Sequence, residues 1–411
     1  MTRPQPLAGI RVLDFSWVWS GPLVASMLSE FGAEVIKVEH GQRLDNSRLR
    51  GRPKKDGQPV EGPAIELPPY FHQVNHGKRG ITVNAKLEEG RRLLHELVAI
   101  SDVLVENLSP GALERTGMGY EACSRINPRL VYLSMSAVGQ DGPLRQLRAY
   151  APVMSSLCGL EALVGYPGEE PQGMMNFGYG DPNAAVHALL ALLAALYERD
   201  ETGRGRHIDF SQVEALLSVL AEPLLDAGME GRNPLPTGNR HRTMAPHGIF
   251  PAAGIDRWVS IAVADDAQWQ ALVACMGRPA WACAPALQVA EGRLQQVGSI
   301  ERELARWTRG LDAGDLVARL RSAGIACTAV QDVAGQWDDP HFESRGLRCE
   351  VRHPITGAER LYHAPWRMEL DPPRIDASAP LLGADNDYVF GQLLGIAPGR
   401  LEQLKSAGVL A

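Results

Sequence analysis

Residues 6–40, PLAGIRVLDFSWVWSGPLVASMLSEFGAEVIKVEH, decide the fold. IRVLDFS is a short apolar run with the length and composition of a buried strand, PLVASMLSEFG spaces its apolar residues as a helix does, and AEVIKVEH returns to the strand pattern. The alternation then continues. Beyond a long Pro/Gly-rich loop come the strand GITVN (80–84), the helix KLEEGRRLLHELVAI (86–100), the strand DVLVENL (102–108), a helix from Gly111 and the strand LVYLSMSAVG (130–139). Strand and helix in strict alternation predict a parallel sheet covered by helices, an α/β doubly wound domain. Glycine and proline at strand exits, as in SGP (20–22) and SPG (109–111), belong where such a fold places a ligand crevice.

Later segments extend the pattern and then break it. NFGYGDPNAAVHALLALLAALYERD (176–200) is a greasy helix with one acid, Asp181, at its mouth. GRGRHIDFSQVEALLSVL (203–220) adds a strand and a helix, and GMEGRNPLPTGNRHRTMAPHG (228–248) reads as a linker or active-site loop. RWVSIAVADDAQWQALVACM (257–276) and the helices SIERELARWTRGL (299–311) and DAGDLVARLRSAG (312–324) suggest a smaller α/β or α+β unit. IACTAV (325–330) is strand-like, LRCEVRHPITGAERLYHAPW (347–366) reads as a hairpin, and a helical tail follows. The expected division is a large domain from 1–220 and 316–411, a linker at 221–245 and a small domain at 246–315.

Composition narrows the function classes. The 411 residues are 45% hydrophobic and 22% charged, with a net charge of −7, and no long basic run argues for nucleic acid. The N-terminus lacks a secretory h-region, and the apolar stretch from Pro182 to Tyr197 is shorter than the ~20 residues that span a bilayer, so a cytoplasmic protein without membrane contact is expected. Six separated cysteines, with no C-x-x-C and no histidine at metal spacing, are read as reduced core thiols, with neither disulfide nor metal. G-x-G-x-x-G, the P-loop, G-x-S-x-G and H-E-x-x-H are all absent from the sequence. The chemistry must therefore come from side chains such as Asp181. Its position before Pro182 suits a helix N-cap, and the same helix N-terminus would keep a carboxylate ionised and nucleophilic.

Five phrases occur in order: the opening stretch, NHGKRGITVNAK (75–86), VLVENLSPGALERTG (103–117), GYGDPNA (178–184) and TGRGRHIDFSQ (202–212). Together with APLLGADNDYVFGQLLGI (379–396), they resemble the class III CoA-transferase family, also called CaiB/BaiF, of the formyl-CoA transferase-like superfamily. The resemblance implies a large Rossmann-like domain built from both chain ends, a smaller inserted domain, and an interlocked homodimer. It places the catalytic aspartate at Asp181. It implies nucleotide contacts at His40, Lys78, Arg79, Asn107 and Arg115, and a thioester end lined by Val18 and Trp19, although Trp17 and Trp19 also alternate as packed strand residues do. No tightly bound cofactor is implied; coenzyme A arrives as a thioester co-substrate.

The chemistry implied is exchange of CoA between an acyl-CoA and a carboxylic acid through an aspartyl anhydride and an aspartyl-CoA thioester. Gly178, Gly180 and the PHG of residues 246–248 would let backbone approach the reacting carbon. Arg242, His247 and Gly248 are the candidates for binding the substrate's far carboxylate, which favours succinyl-CoA as donor. Two alternatives stand beside this reading. An α-methylacyl-CoA racemase of the same family would need a histidine where Tyr150 stands, and a phenol with a pKa of ~10 is a poor base. A non-catalytic CoA-thioester binder would use Asp181 only as a cap. Trp19 in place of the glutamine of the formyl-CoA:oxalate branch argues against oxalate, and Ser136 replaces that branch's lysine.

Overall fold

The computed structural model describes residues 5–55, 57–174, 177–370 and 372–410. They form two compact units, one of 1–159, 176–225 and 343–411, the other of 160–175 and 226–342. In the first unit β1 (Arg11–Asp14), α1 (Ser20–Glu30) and β2 (Glu34–Glu39) reproduce the opening βαβ reading. They are followed by α2 (Pro69–Asn75), β3 (Lys78–Thr82), α3 (Glu88–Ala99), β4 (Val103–Glu106), α4 (Tyr120–Ile126), β5 (Val131–Ser136), α5 (Gly180–Thr202), β6 (His207–Ser211) and α6 (Gln212–Leu217).

The six strands lie in the order β3-β2-β1-β4-β5-β6, all parallel. This is the doubly wound arrangement expected from the sequence. The order of winding reverses between β1 and β4, the switch point where such sheets open a crevice at the strands' carboxyl ends. Both sheet faces are covered, which is why the strands read as continuous apolar runs. Val12, Val35, Val103 and Val131 pack on Val24 and Leu28 of α1 and Ala188 and Leu192 of α5. Leu13, Ile36, Ile81 and Leu104 pack on Leu93 and Leu97 of α3 and on Phe390, Leu401 and Leu404 near the C-terminus. The two ends of the chain thus share one core.

Helix α5 buries Ala184, Ala185, Ala188, Leu189, Leu192 and Leu196, the i, i+3, i+4 stripe that faces the sheet. The opposite face is also apolar: Val186, Leu190 and Tyr197 are 51%, 70% and 74% exposed. The Pro/Gly-rich stretch after β2, read as loop, holds a two-stranded ribbon at Lys54–Lys55 and Gln58–Pro59 and helix α2. Its order comes from buried side chains described below, which periodicity does not reveal.

In the second unit β7 (His247–Pro251), β8 (Trp258–Ala262) and β9 (Ala326–Ala329) form an antiparallel sheet in the order β9-β8-β7. Phe250, Ile261, Trp269, Leu272, Leu304 and Leu320 fill its core. The sequence reading returned the chain to the large domain at 316. Strand β9 instead pairs with β8, Ile261 opposite Cys327, so the return falls after Phe342. Part of the expected linker is helical, Ala221–Glu230, and residues 160–175 join the second unit. The expected hairpin is present as β10 (Arg348–His353) and β11 (Gly357–Tyr362).

Leu192 is fully buried between α5 and the sheet. Leu192→Ala is expected to lower unfolding stability by about 2–5 kcal/mol in urea titrations, as cavity-forming leucine truncations do.

Candidate active site

Four buried charges organise the carboxyl end of β1. Lys37 Nζ bonds the Asp45 carboxylate at 3.0 Å and the Ser16 carbonyl at 2.8 Å. Lys78 Nζ bonds Asp14 at 2.8 Å, the Pro22 carbonyl at 2.9 Å and Asn75 at 2.9 Å. All four ionic side chains have zero exposure. Burial alone would raise the Asp14 and Asp45 carboxyls, but the lysines beside them hold both below the ordinary carboxylate range. The Lys78 ammonium is pulled down to about 8 by burial despite Asp14.

These charges shape the backbone that follows. Asp45 Oδ1 accepts the Val18 amide at 3.0 Å. Asn107 takes the Trp17 amide on its Oδ1 at 2.7 Å and gives its Nδ2 to the Trp17 carbonyl at 2.8 Å and to Ser20 Oγ at 3.2 Å. Held at residues 16, 17 and 18, the chain passes through φ = +68° at Val18, a region that costs a β-branched residue energy and persists because its neighbours over-determine it. Gly21 follows, and a Cβ there would lie 2.3 Å from Ser16 Cβ. Trp17–Trp19 are therefore a strained loop, not a continuation of the strand.

Ser20 begins α1 beside Asp181, which lies in the first turn of α5, and the Ser20 amide and hydroxyl act to lower that carboxyl's pKa. The N-termini of two helices meet at this acid. Asp181 is not the cap its sequence position suggested: Tyr179 holds the N-cap position, and no side chain among the described residues caps the helix. Nor is its carboxyl held low. Burial raises it from the ordinary 3.8 to about 6, against the lowering influence of Ser20 and of the Arg50 charge. The carboxylate is mostly ionised at neutral pH, and more basic than an exposed aspartate.

Around it stand groups that sequence reasoning missed. Asp45 caps the turn Asn46–Leu49 through the Ser47 amide, 2.8 Å, and Arg48 is buried on Glu39, Glu66 and the Pro380 carbonyl at 2.6–3.1 Å. Arg50 emerges from that turn with its guanidinium 5.2 Å from the centre of the Tyr70 ring on α2. Tyr70 meets Trp19 edge-on at 5.6 Å. The signal available in the sequence was Asp14 and Lys37 inside apolar strands, since charges in a core are tolerated only when paired. Arg50 and Tyr70 gave no signal at all, because they sit in the irregular stretch.

The remaining predicted residues divide. His40 lies in a crevice with Phe15, Trp17, Val38, Leu113 and Thr116, at the carboxyl ends of β1 and β2. The Gln42 amide donates to its Nδ1 at 3.0 Å, and burial with the Lys86 charge holds the ring below its ordinary pKa, hence neutral. Arg43 stacks on Trp17 at 5.1 Å, and Arg115 extends its guanidinium beside Gly111. Lys78 is corrected from nucleotide contact to internal ion pair, its three donors spent on protein acceptors. Arg79 sits at the opposite end of the sheet, beside Val35 and Ile36, bonded to Glu34 and Asp385 and stacked on Tyr388 at 4.0 Å. Asn107 spends its amide on residues 17 and 20, so it positions the loop. Gly178 leaves room for the Trp19 ring, 2.9 Å from where its Cβ would be, and Gly180 faces Leu216.

Arg242, His247 and Gly248 belong to the second unit. Arg242 pairs with Asp226, and the His247 Nδ1 donates to the Asn239 carbonyl at 2.6 Å. Gly248 lines a cavity there with Arg240, Glu301 and Arg302. The cluster His72, His353 and Glu359 has metal-ligand chemistry types in reach of one another. However, the His353 Nδ1 accepts the Ile355 and Thr356 amides, both at 3.3 Å, which leaves its proton on Nε2, where a metal would have to bind.

A doubly wound sheet with a carboxylate at its switch-point crevice has many owners, and comparison with known proteins resolves which. The profile described as CoA-transferase family III matches residues 7–386, and the chain belongs to that family. It is 29% identical over 407 residues to the succinyl-CoA–D-citramalate CoA-transferase of Chloroflexus aurantiacus, covering 99% of this chain and 98% of that one. It is 30% identical to the formyl-CoA:oxalate CoA-transferase of Streptomyces coelicolor over 99% of both chains. A crystal structure of a CaiB/BaiF family protein from Brucella suis superposes with a TM-score of 0.85 at 28% identity, over 95% of this chain and all of that one. The protein is a class III CoA-transferase.

Because Asp45 neutralises Lys37 in a dry interior, Asp45→Asn is expected to cost about 3 kcal/mol or more in denaturant unfolding. A change below 1 kcal/mol would contradict the role given to this pair.

Proposed function

We propose that Asp181 is the nucleophile of the CoA transfer and that the protein moves CoA from a succinyl-CoA-like donor to a carboxylic acid. The observation that carries this is a buried carboxylate in the first turn of α5 beside Ser20 at the N-terminus of α1, which burial makes more basic than an exposed aspartate. Asp181 attacks the thioester carbonyl, forming an aspartyl-acyl anhydride and releasing CoA thiolate. The thiolate attacks the aspartyl carbonyl, giving aspartyl-CoA thioester and the free donor acid. An acceptor carboxylate attacks that thioester, again releasing thiolate, and the thiolate takes the acceptor acyl group and frees Asp181. Two helix N-termini supply positive potential where the tetrahedral oxyanions form.

The nucleotide end of CoA is assigned to the crevice of His40, Phe15, Trp17 and Leu113, with Arg43, Arg115 and Lys86 as phosphate partners. Val18 and Trp19 face the thioester. The exposed Val186, Leu190 and Tyr197 stripe on α5 supports the homodimer implied by family resemblance, since a second copy would cover it. Among the described residues no helix is long and apolar enough to cross a membrane. Tyr150 is 59% exposed, which gives the racemase alternative no buried base at that position.

Asp181→Asn is expected to abolish transfer and the CoA adduct that peptide mass spectrometry finds on this residue after incubation with succinyl-CoA. Deuterium entering the acyl α-carbon in deuterated water, without an adduct, would establish the racemase instead. The reaction requires the ionised form, so kcat/KM is expected to fall tenfold per pH unit below about 6. Stability has the opposite sign. The folded-state pKa lies above the unfolded one, so ionisation between pH ~4 and about 6 weakens the fold, and Asp181→Asn should melt at an equal or higher temperature than wild type at pH 8.

A further inference from the structure

We infer that Arg50 and Tyr70 form the subsite for a second carboxylate, making the enzyme selective for dicarboxylic acyl groups. The inference rests on Asp181 as nucleophile, because the subsite is defined by its position beside that residue. Arg50 is the cation whose charge acts on Asp181, and it also acts on Tyr70. Its guanidinium, over the Tyr70 ring at 5.2 Å, has no ion pair or side-chain hydrogen bond among the described residues. The contrast with Arg48 is informative, since two residues earlier the same side-chain type is consumed by two glutamates and a carbonyl.

Tyr70 supplies the second, independent observation. Its hydroxyl is buried and has no hydrogen-bond partner among the described residues. Burial and the neighbouring Asp181 charge push the phenol well above its ordinary pKa, so the group is a fixed O–H donor without an acceptor. Leaving a buried donor unpaired is unfavourable, which is a reason to look for the acceptor in the substrate. A carboxylate can accept from Tyr70 Oη and from the guanidinium together, and arginine's planar fork suits that geometry.

Charge balance through the reaction adds the reason for selectivity. In the free enzyme the Arg50 charge is partly offset by Asp181. Acylation to the anhydride or the CoA thioester removes the Asp181 charge, and leaves Arg50 facing a partly desolvated site with no counter-ion. A dicarboxylic acyl group brings the replacement anion with it; a monocarboxylic one does not. Donor and acceptor acyl groups react at the same aspartate in turn, so one subsite selects both. Arg242 and His247, first considered for this task, are already engaged by Asp226 and the Asn239 carbonyl.

The test uses the donor half-reaction, which needs no acceptor. Rapid-quench mass spectrometry follows adduct formation at Asp181 with succinyl-CoA and with butyryl-CoA, its near-isostere lacking the far carboxylate. Wild type is expected to prefer succinyl-CoA, and Arg50→Gln to reduce that preference about 30-fold, the worth of a charge-assisted hydrogen bond of ~2 kcal/mol. Tyr70→Phe should reduce it about 5-fold and Arg50→Lys should restore part of it. Loss of Arg50 also raises the Asp181 pKa, but that affects both donors alike and cancels in the ratio. If the adduct forms in wild type and the variants slow both donors equally, the subsite is wrong while the nucleophile stands. If wild type forms no adduct with either donor, the nucleophile reading fails, and the subsite with it.

Discussion

The ion pair between Lys37 and Asp45 is the contact on which the rest of the site depends. A lysine in the middle of a central strand is costly to desolvate, and the fold keeps it because two of its hydrogens have defined work. One reaches the Ser16 carbonyl and another reaches Asp45, which in turn takes the Val18 amide and caps the turn leading to Arg50. A single buried pair therefore sets both walls of the crevice. On one side it holds the positive φ that turns the chain into α1; on the other it fixes the segment that carries the free guanidinium. A hydrophobic pair of the same volume could fill the space equally well, but it would not direct two backbone segments.

Asp181 illustrates the opposite use of burial. The carboxyls of the Lys37–Asp45 and Lys78–Asp14 pairs remain below the ordinary range, whereas at Asp181 burial outweighs the lowering effect of Ser20 and Arg50, and its pKa rises. The residue is destabilised as an anion and correspondingly more basic. Such poise suits the nucleophile proposed for this position, and it arises because burial outweighs the lowering contributions at this acid while Asp14 and Asp45 are paired with lysines. The Asn107 side chain joins these layers: it holds Trp17 and also donates to the hydroxyl of Ser20, the first residue of α1.

Much of the architecture was legible because it depends on local pattern. The apolar runs RVLD, EVIKVE, VLVE and VYLSMS all became parallel strands, since a sheet covered on both faces demands apolar residues on both. The greasy Asp181 helix was visible as well, its length and alanines suiting close packing on that sheet. The stretch between β2 and β3 was not. Its order comes from Arg48, Glu39, Glu66 and Asp45, whose partners are scattered along the chain as far as Pro380, and periodicity cannot report contacts of that range. The same limit explains the domain boundary, because the text of β9 reads as a strand without saying which sheet it joins.

Sequence by itself determined the doubly wound fold, the membership that its ordered motifs imply, and the placement of one acid at the start of a long apolar helix. These follow from side-chain type and spacing, which act locally. Tertiary structure alone decided which cations are free. Lys78, Arg79 and Arg50 are all simply cations in the sequence, yet the first is neutralised inside the core, the second is tied to Glu34 and Asp385 at the far end of the sheet, and of the three only Arg50 acts on Asp181. Charge availability depends on what lies within a few ångströms in space, and that distance is set by the fold.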